Sequence, residues 1–228
     1  MTYCISDIHG EYDLFMRLLE KIKYSDSDRL IVCGDFIDKG KDSVRLAQTI
    51  FALPNTYCIM GNHEYMFFKY YCSEMERDTD HDAILRRLRE FFPDDGDLLD
   101  WATVDILVDL PFYIEEKDFI CVHAGIPMDY LDRLLPLDEV SPEEFVYDRY
   151  FKDPTVLPKD SKCVFFGHTP TTYFAYEPEI LKYPKSRRHP NSTKISDYCK
   201  IHLDTGASMN GVLGCFCVDN CREFYVKK

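Results

Sequence analysis

Long apolar runs are missing from this sequence. No uninterrupted stretch approaches the ~20 residues that a membrane-crossing helix needs, so no such helix is expected. An excess of basic charge is missing too: 27 Lys and Arg stand against 40 Asp and Glu, a formal −13. That balance argues against nucleic acid or an anionic membrane as a partner, although a formal count ignores carboxylates neutralised by bound cations. There is no internal repeat, no low-complexity tract and no charged leader. Met1-Thr2-Tyr3-Cys4-Ile5 runs straight into a polar motif, so the expected location is the cytoplasm. The ten cysteines lack a disulfide pattern and lie mostly inside apolar runs (Cys4, Cys33, Cys58, Cys121, Cys163), as reduced, buried thiols do. Cys215, Cys217 and Cys221 are closer together, but C-x-C-x3-C is not a standard zinc spacing, and no metal is expected there.

What is present is a rhythm of short apolar runs, each ending in a polar loop. Tyr3-Cys4-Ile5 ends at Ser6-Asp7-Ile8-His9-Gly10, and Leu30 to Cys33 ends at Gly34-Asp35-Phe36-Ile37-Asp38-Lys39-Gly40. Thr56 to Met60 ends at Gly61-Asn62-His63-Glu64. Between them, Leu14, Phe15, Leu18, Leu19 and Ile22, then Val44, Leu46, Ala47, Ile50 and Phe51, recur at helical spacing. Strand, loop and helix in repetition predict a layered α/β sheet with its ligands at the C-terminal strand edge. At 228 residues the chain suffices for one core, and a single domain over 1–228 is expected.

The rhythm changes between about 73 and 110. Ile84, Leu85, Leu88, Phe91 and Phe92 predict an amphipathic helix that stops at Pro93-Asp94-Asp95-Gly96, and a second helix is expected to carry Leu98, Leu99 and Trp101. This reads as a small helical insertion beside the active edge. Strands resume at Phe112–Ile114 and Phe119–Val122, the latter ending at His123-Ala124-Gly125; Cys163–Phe166 leads into Gly167-His168-Thr169-Pro170. Ser141-Pro142-Glu143-Glu144 opens a helix with a capping box. Closing strands are expected at 200–203, 211–218 and 223–226. Residues 182–200 depart from the overall charge, with Lys182, Lys185, Arg187, Arg188, Lys194 and Lys200 against Asp197 alone. The plain reading is an exposed loop; the sharper one is a basic flap over an anionic substrate.

The post-strand loops collect Asp7, His9, Asp35, Asp38, Asn62, His63, His123 and His168, all oxygen or nitrogen donors. Such a mixed set favours Mn, Fe or Zn over Ca or Mg, and suffices for two metals sharing one carboxylate. A pair of ions can activate water and clamp a phosphate for in-line attack. Asp204 is expected to shape the Asp204-Thr205-Gly206 turn, and His202 to lie behind the site or serve structure. His81 and His189 are expected in solvent.

At this point the sequence resembles a known family. Asp7-x-His9-Gly10, Gly34-Asp35-x-x-Asp38-x-Gly40 and Gly61-Asn62-His63-Glu64 look like the signature of the calcineurin-like metallophosphoesterases, and among them the phosphoprotein phosphatase type. His123-Ala124-Gly125, Gly167-His168-Thr169-Pro170 and Asp204-Thr205-Gly206-Ala207 resemble the bacterial and bacteriophage lambda branch. The resemblance implies a four-layer α/β fold, a β-sandwich flanked by helices, with two divalent metals, Mn first and Fe or Zn next. It implies Asp7 and His9 on one metal, Asp35 bridging, and Asn62, His123 and His168 on the other. His63 would protonate the leaving group, oriented by Asp38, and Arg149, Lys39 and Asn62 would hold the substrate phosphate.

The activity so implied is phosphomonoester hydrolysis by a serine/threonine, or dual-specificity, protein phosphatase acting on phosphoproteins, phosphopeptides or small phosphoesters. The sequence departs from the pattern where the family usually has Arg, at Lys39 and at Met60; lysine keeps the charge but loses the two-pronged grip. An inactive regulatory relative would be expected to lose ligands or the His63–Asp38 pair, and neither is lost. The alternative is a dinucleoside polyphosphate (Ap4A-type) hydrolase of the same superfamily. Its symmetrical bacterial type resembles Gly-Asp-x-x-Ala-Arg-Gly at the central loop, and the acidic Asp38 ranks it second.

Overall fold

The computed structural model describes residues 1–127, 130, 136–149, 151, 161–186 and 191–228. Two five-stranded sheets form its centre. One has the order β10-β9-β1-β2-β3, built from β1 (Thr2–Ile5), β2 (Arg29–Val32), β3 (Thr56–Cys58), β9 (Val212–Cys217) and β10 (Arg222–Lys227). The other runs β4-β5-β6-β8-β7, from β4 (Tyr113–Glu115), β5 (Phe119–Val122), β6 (Cys163–Phe166), β7 (Leu181–Pro184) and β8 (Tyr198–His202). β1, β2 and β3 are parallel, and so are β5, β6 and β8.

Side-chain alternation along the strands explains why two sheets face one another. Cys4, Ile31, Phe119, Cys121, Cys163 and Phe165 point into one apolar layer shared by the sheets. Their neighbours Tyr3, Ile5, Leu30, Val32, Ile120, Val122, Val164 and Phe166 belong to the larger core that the helices cover. Strands apolar on both faces are the continuous apolar runs of the sequence. The cysteines at these positions act as small apolar side chains; all ten are free thiols, and nine are buried.

Helix α1 (Tyr12–Ile22) buries Leu14, Phe15, Leu18, Leu19 and Ile22, and ends where Lys23 turns left-handed and donates its N–H to Glu20 and Leu19. Helix α2 (Ser43–Ala52) buries Val44, Leu46, Ala47 and Ile50. Helix α3 starts at Asn62 and runs to Arg77, so the change of rhythm near residue 73 falls inside a helix rather than at an insertion boundary. It packs against α4 (His81–Arg89) and α5 (Trp101–Val108). Leu98 and Leu99 lie outside α5, because the Asp100 carboxylate accepts from the Thr103 N–H and caps the helix there. A 3-10 turn at Gly96–Leu98 precedes it.

The basic stretch also departs from the plain expectation of an exposed loop. Its first residues are strand β7, Lys182 pairs with Glu223 at 2.5 Å, and Lys185 donates to the Ser161 carbonyl at 2.6 Å. Lys200 is 1% exposed in β8, its ammonium donating to the Phe151 carbonyl at 2.8 Å beneath the rings of Phe151 and Tyr183. Arg187, Arg188, His189 and Pro190 lie outside the described residues. Among the described residues no helix is long and apolar enough to cross a membrane.

Candidate metal centre

The six parallel strands converge on one edge. There the loops after β1, β2, β3, β5, β6 and β8 bring together Asp7 and His9, Asp35 and Asp38, Asn62 and His63, His123, His168, and Asp204. The backbone bends sharply to do this. Nine described non-glycine residues have positive φ, and six of them are Asp7, His9, Asp35, Asp38, Lys39 and His168. The left-handed region costs energy for residues with a Cβ, and such strain gathers at functional sites. Gly61 and Gly167 leave the room that the carboxylates fill: a Cβ on the first would sit on Asp35 Oδ1, and on the second against Asp7 Oδ2.

Asp35 is the centre of the arrangement. Its Oδ1 accepts the His63 N–H at 3.0 Å and lies 3.4 Å from His123 Nε2; its Oδ2 lies 3.6 Å from His9 Nε2 and 3.8 Å from His63 Nε2. Two donor groups close enough to hold a cation result, His9–Asp35–His63 and Asp35–His123–His168, and Asp35 belongs to both. Burial works against its charge, but His123, His9 and His63 outweigh that and hold the carboxyl well below its ordinary range.

The imidazoles are oriented by their second nitrogens. His9 donates Nδ1–H to the Ile37 carbonyl at 3.2 Å and His123 donates Nδ1–H to the Cys33 carbonyl at 2.9 Å, leaving each Nε2 toward the cluster. Burial lowers the His9 pKa to about 4, and its Nε2 accepts from Lys39 Nζ at 2.8 Å. Burial disfavours charge on His123, yet Asp35 pushes its pKa up to about 10. Asn62 Oδ1 stands 3.0 Å from His123 Nε2 and 2.8 Å from His168 Nδ1. Burial, His123 and the Arg149 charge pull His168 down to about 3, and its buried Nε2 has no hydrogen-bond partner among the described residues.

Asp7 stands slightly apart, its Oδ1 4.0 Å from His9 Nε2 and outside both donor groups. It accepts from Ser6 Oγ at 2.5 Å and from the His168 N–H at 3.0 Å, and burial pushes its pKa up to about 6. His63 Nδ1 and Asp38 Oδ2 are 2.7 Å apart. Burial opposes charge on His63, but the bond to Asp38 prevails and its pKa ends above the ordinary value. Lys39 and Arg149 are exposed. The Asp204 side chain accepts the Gly206 N–H at 2.8 Å and shapes that turn, while His202 Nε2 meets the Thr169 carbonyl at 2.6 Å behind the His168 loop.

Two residues that matter here were given no role by the sequence. Glu64, fully buried, accepts N–H bonds from Asp35 at 2.7 Å, Phe36 at 3.0 Å, Ile37 at 3.1 Å and Gly61 at 2.9 Å. It thereby ties the Asp35 loop to the start of α3, and burial pushes its pKa up to about 7. Ser6, through its bonds to Asp7 and the Cys33 carbonyl, fixes the β1 loop against the β2 loop. The only local signal for Glu64 is its place three residues after Gly61, the capping-box position.

A family model, the calcineurin-like phosphoesterases, matches residues 2–201. The chain belongs to that family. Among curated relatives, symmetrical bis(5′-nucleosyl)-tetraphosphatases from Delftia acidovorans and Wigglesworthia glossinidia brevipalpis are each 31% identical over 126 residues, 54% of this chain and 44% of theirs. The chain thus matches less than half the length of those proteins. Among solved structures, a provisionally assigned diadenosine tetraphosphatase superposes with TM-score 0.67 at 19% identity, covering 99% of this chain and 92% of that one. A metallophosphoesterase from Sphaerobacter thermophilus gives 0.60 at 16% identity, over 100% and 87%. These likenesses show that this chain has the metallophosphoesterase fold, the two-sheet, helix-flanked α/β architecture that the sequence led one to expect.

Proposed function

We propose that this phosphoesterase is a metal-dependent hydrolase of dinucleoside polyphosphates. The observation that carries the reaction class is Asp35, one buried carboxylate shared by two donor groups with His63 and Asp38 beside it. The residues fit a pair of divalent cations. Four carboxyl groups, of Asp7, Asp35, Glu64 and Asp204, are buried together, and burial raises the pKa of Asp7, Glu64 and Asp204, a cost of ionisation that bound cations would offset. His168, whose Nδ1 stands 2.8 Å from Asn62 Oδ1, is a further donor in the same place. Asp7 and His9 would hold one cation and Asn62, His123 and His168 the other, with Asp35 common to both. When bound, such a pair polarises phosphoryl oxygens and lowers the pKa of water; manganese is the first choice.

The chain's own part in the reaction follows from the remaining geometry. Water adds to the phosphorus and the bridging oxygen leaves as the P–O bond breaks. His63, held through Nδ1 by Asp38, presents Nε2 to the cluster and gives its proton to that oxygen. Arg149 and Lys39, both exposed at the mouth, neutralise the phosphate oxygens that remain outside.

The choice of substrate rests on the curated relatives, which are named for symmetrical cleavage of dinucleoside tetraphosphates. It reverses the order suggested by the sequence, where a phosphoprotein substrate stood first. One support for that order has weakened, since Lys182, Lys185 and Lys200 are engaged in structural contacts rather than set out as a flap. The test is to compare kcat/KM for diadenosine tetraphosphate and for phosphoserine and phosphotyrosine peptides with added Mn²⁺. A higher value on the dinucleotide is expected; a higher value on either peptide returns the phosphoprotein reading to first place.

A further inference from the structure

Just beyond His168 the chain does something unusual for a water-exposed turn. Tyr173 is 68% exposed, Phe174 45% and Tyr176 99%, and Met209 on the short helix Ala207–Asn210 is 62% exposed. Exposed aromatic rings leave unused about 1.5–3 kcal/mol of burial each, and three of them fall on the one short segment 173–176, where exposed apolar surface marks contact sites. The turn itself is firmly built. Thr171 donates its N–H to the Asp204 carbonyl at 2.8 Å, Tyr173 to Pro170 at 3.1 Å, and Phe174 and Ala175 both to Thr171 at 2.9 Å. Asn210 Nδ2 reaches Thr172 Oγ1 at 3.3 Å and joins the Met209 helix to it. The Phe174 ring centroid lies 6.0 Å from that of His202, whose Nε2 meets the Thr169 carbonyl next to His168.

We propose that Tyr173 and Tyr176 form a stacking platform for the purine base of the substrate. The proposal rests on the dinucleoside polyphosphate reading and names the part of the chain that would recognise the nucleoside. Charge separates the two ends of such a molecule. Lys39 and Arg149 stand at the donor cluster, where phosphates belong, while exposed Glu177 and Glu179 follow the aromatic turn. An anionic phosphate or an acidic peptide is repelled by those carboxylates; an uncharged base is not. Reach agrees as well. Tyr173 is five residues past His168, at most about 17 Å of extended chain, and the 3-10 turn at Thr171–Tyr173 shortens it further. A base joined to the reacting phosphorus through one more phosphate and a ribose spans a distance of that order. Phe174, propped on His202, links the platform to the loop of a donor residue.

The test is made on Tyr173→Ala, Tyr176→Ala and the double variant, with Tyr173→Phe as the conservative control. Equilibrium titration with adenosine 5′-monophosphate and, separately, inorganic phosphate isolates the contribution of the base. Loss of one stacking partner is worth about tenfold. The nucleotide Kd and the KM for diadenosine tetraphosphate are therefore expected to rise about tenfold in each alanine variant. Phosphate binding and p-nitrophenyl phosphate hydrolysis stay unchanged, and Tyr173→Phe stays near wild type. Unchanged nucleotide affinity in the double variant overturns the platform, as does equal weakening of nucleotide and phosphate. A wild type that sediments as a dimer which the double variant breaks, with nucleotide affinity unmoved, also overturns it and makes the patch a contact between copies. A wild type that binds the nucleotide through these tyrosines but does not cleave the tetraphosphate keeps the platform and removes the substrate reading.

Discussion

The floor and the rim of the site are built by opposite rules. On the floor, Asp7, Asp35, Glu64, His123 and Asp204 are buried, and each side chain is held by at least one backbone N–H or carbonyl. On the rim, Lys39, Arg149, Tyr173 and Tyr176 are exposed. A buried donor set fixes what reaction is done, because a displaced carboxylate there has no solvent to fall back on. An exposed rim fixes which molecule is brought to it, and can change without disturbing the floor. Substitutions among the buried donors should therefore cost all substrates alike, the acid His63 should sort them only by the basicity of the leaving group, and those on the rim should sort them by recognition.

The largest effect is expected at Asp35. Asp35→Asn removes a charge that both donor groups share, so activity on every substrate should fall by several orders of magnitude and bound metal should decrease. Circular dichroism should show the fold retained, since the His63 N–H bond to Oδ1 survives in an amide. Elemental analysis with full metal content and near-normal turnover would contradict the shared role.

His63→Asn comes next, and it tests whether the proton matters. General acid catalysis is worth ~10²–10⁴-fold, and the loss should be greatest on alkyl phosphates, whose leaving oxygens need the proton most. It should be smaller on p-nitrophenyl phosphate and on the tetraphosphate, whose leaving groups are weaker bases. Asp38 raises the His63 pKa, so Asp38→Asn should lower it. The acid must be protonated to act; the alkaline limb of kcat/KM on alkyl phosphates therefore moves to lower pH in that variant. A limb that stays in place would remove Asp38 from this role.

The floor was legible in the sequence and much of its support was not, for a physical reason. Oxygen and nitrogen donors placed directly after apolar strands can be seen locally, so Asp7, His9, Asp35, Asn62, His63, His123 and His168 stand out in the sequence, and the structure brings all of them to one edge. The same strand–loop–helix rhythm made the two-sheet α/β fold readable. Glu64 has no such signature. Its four N–H partners include Asp35, Phe36 and Ile37 from a different loop, so its role exists only after folding. Lys200 misled in the other direction: a lysine in a basic stretch reads as solvated, whereas the folded chain buries it with its ammonium on the Phe151 carbonyl beside the rings of Phe151 and Tyr183. The strand β7 was hidden by the same charges. For α5, leucine spacing placed the helix too early, because the Asp100 carboxylate caps it one residue before Trp101.

Glu64→Gln sharpens the floor from behind. The amide brings its own donors against N–H groups that need an acceptor, and each unmade bond costs about 1–3 kcal/mol. Positioning groups of this kind change metal affinity or activity by ~10–100-fold. Manganese titration should show weaker binding, and thermal unfolding a lower Tm, with all substrates losing activity in proportion. A loss confined to one substrate class would place Glu64 on the wrong side of the comparison.

The smallest effect is expected on the rim at Lys39, and it is the most discriminating. Lys39 Nζ lies 2.8 Å from His9 Nε2, the nitrogen that faces the donor cluster, although the residue as a whole is exposed. A lysine there serves as a point charge, free to leave His9 and meet a phosphate oxygen. A guanidinium offers two parallel donors to that oxygen pair instead. Exposed ion contacts are worth about 0.2–1 kcal/mol, so Lys39→Arg should leave kcat intact and lower KM by roughly fivefold at most. Arg149→Ala, which removes the other rim cation, should raise KM more and lower kcat somewhat. Both effects should shrink as salt rises past ~0.15 M, where the screening length is about 8 Å. If Lys39→Arg instead reduces kcat on every substrate and weakens manganese binding, Lys39 belongs to the floor through His9, and the division between chemistry and recognition must be drawn one residue further out.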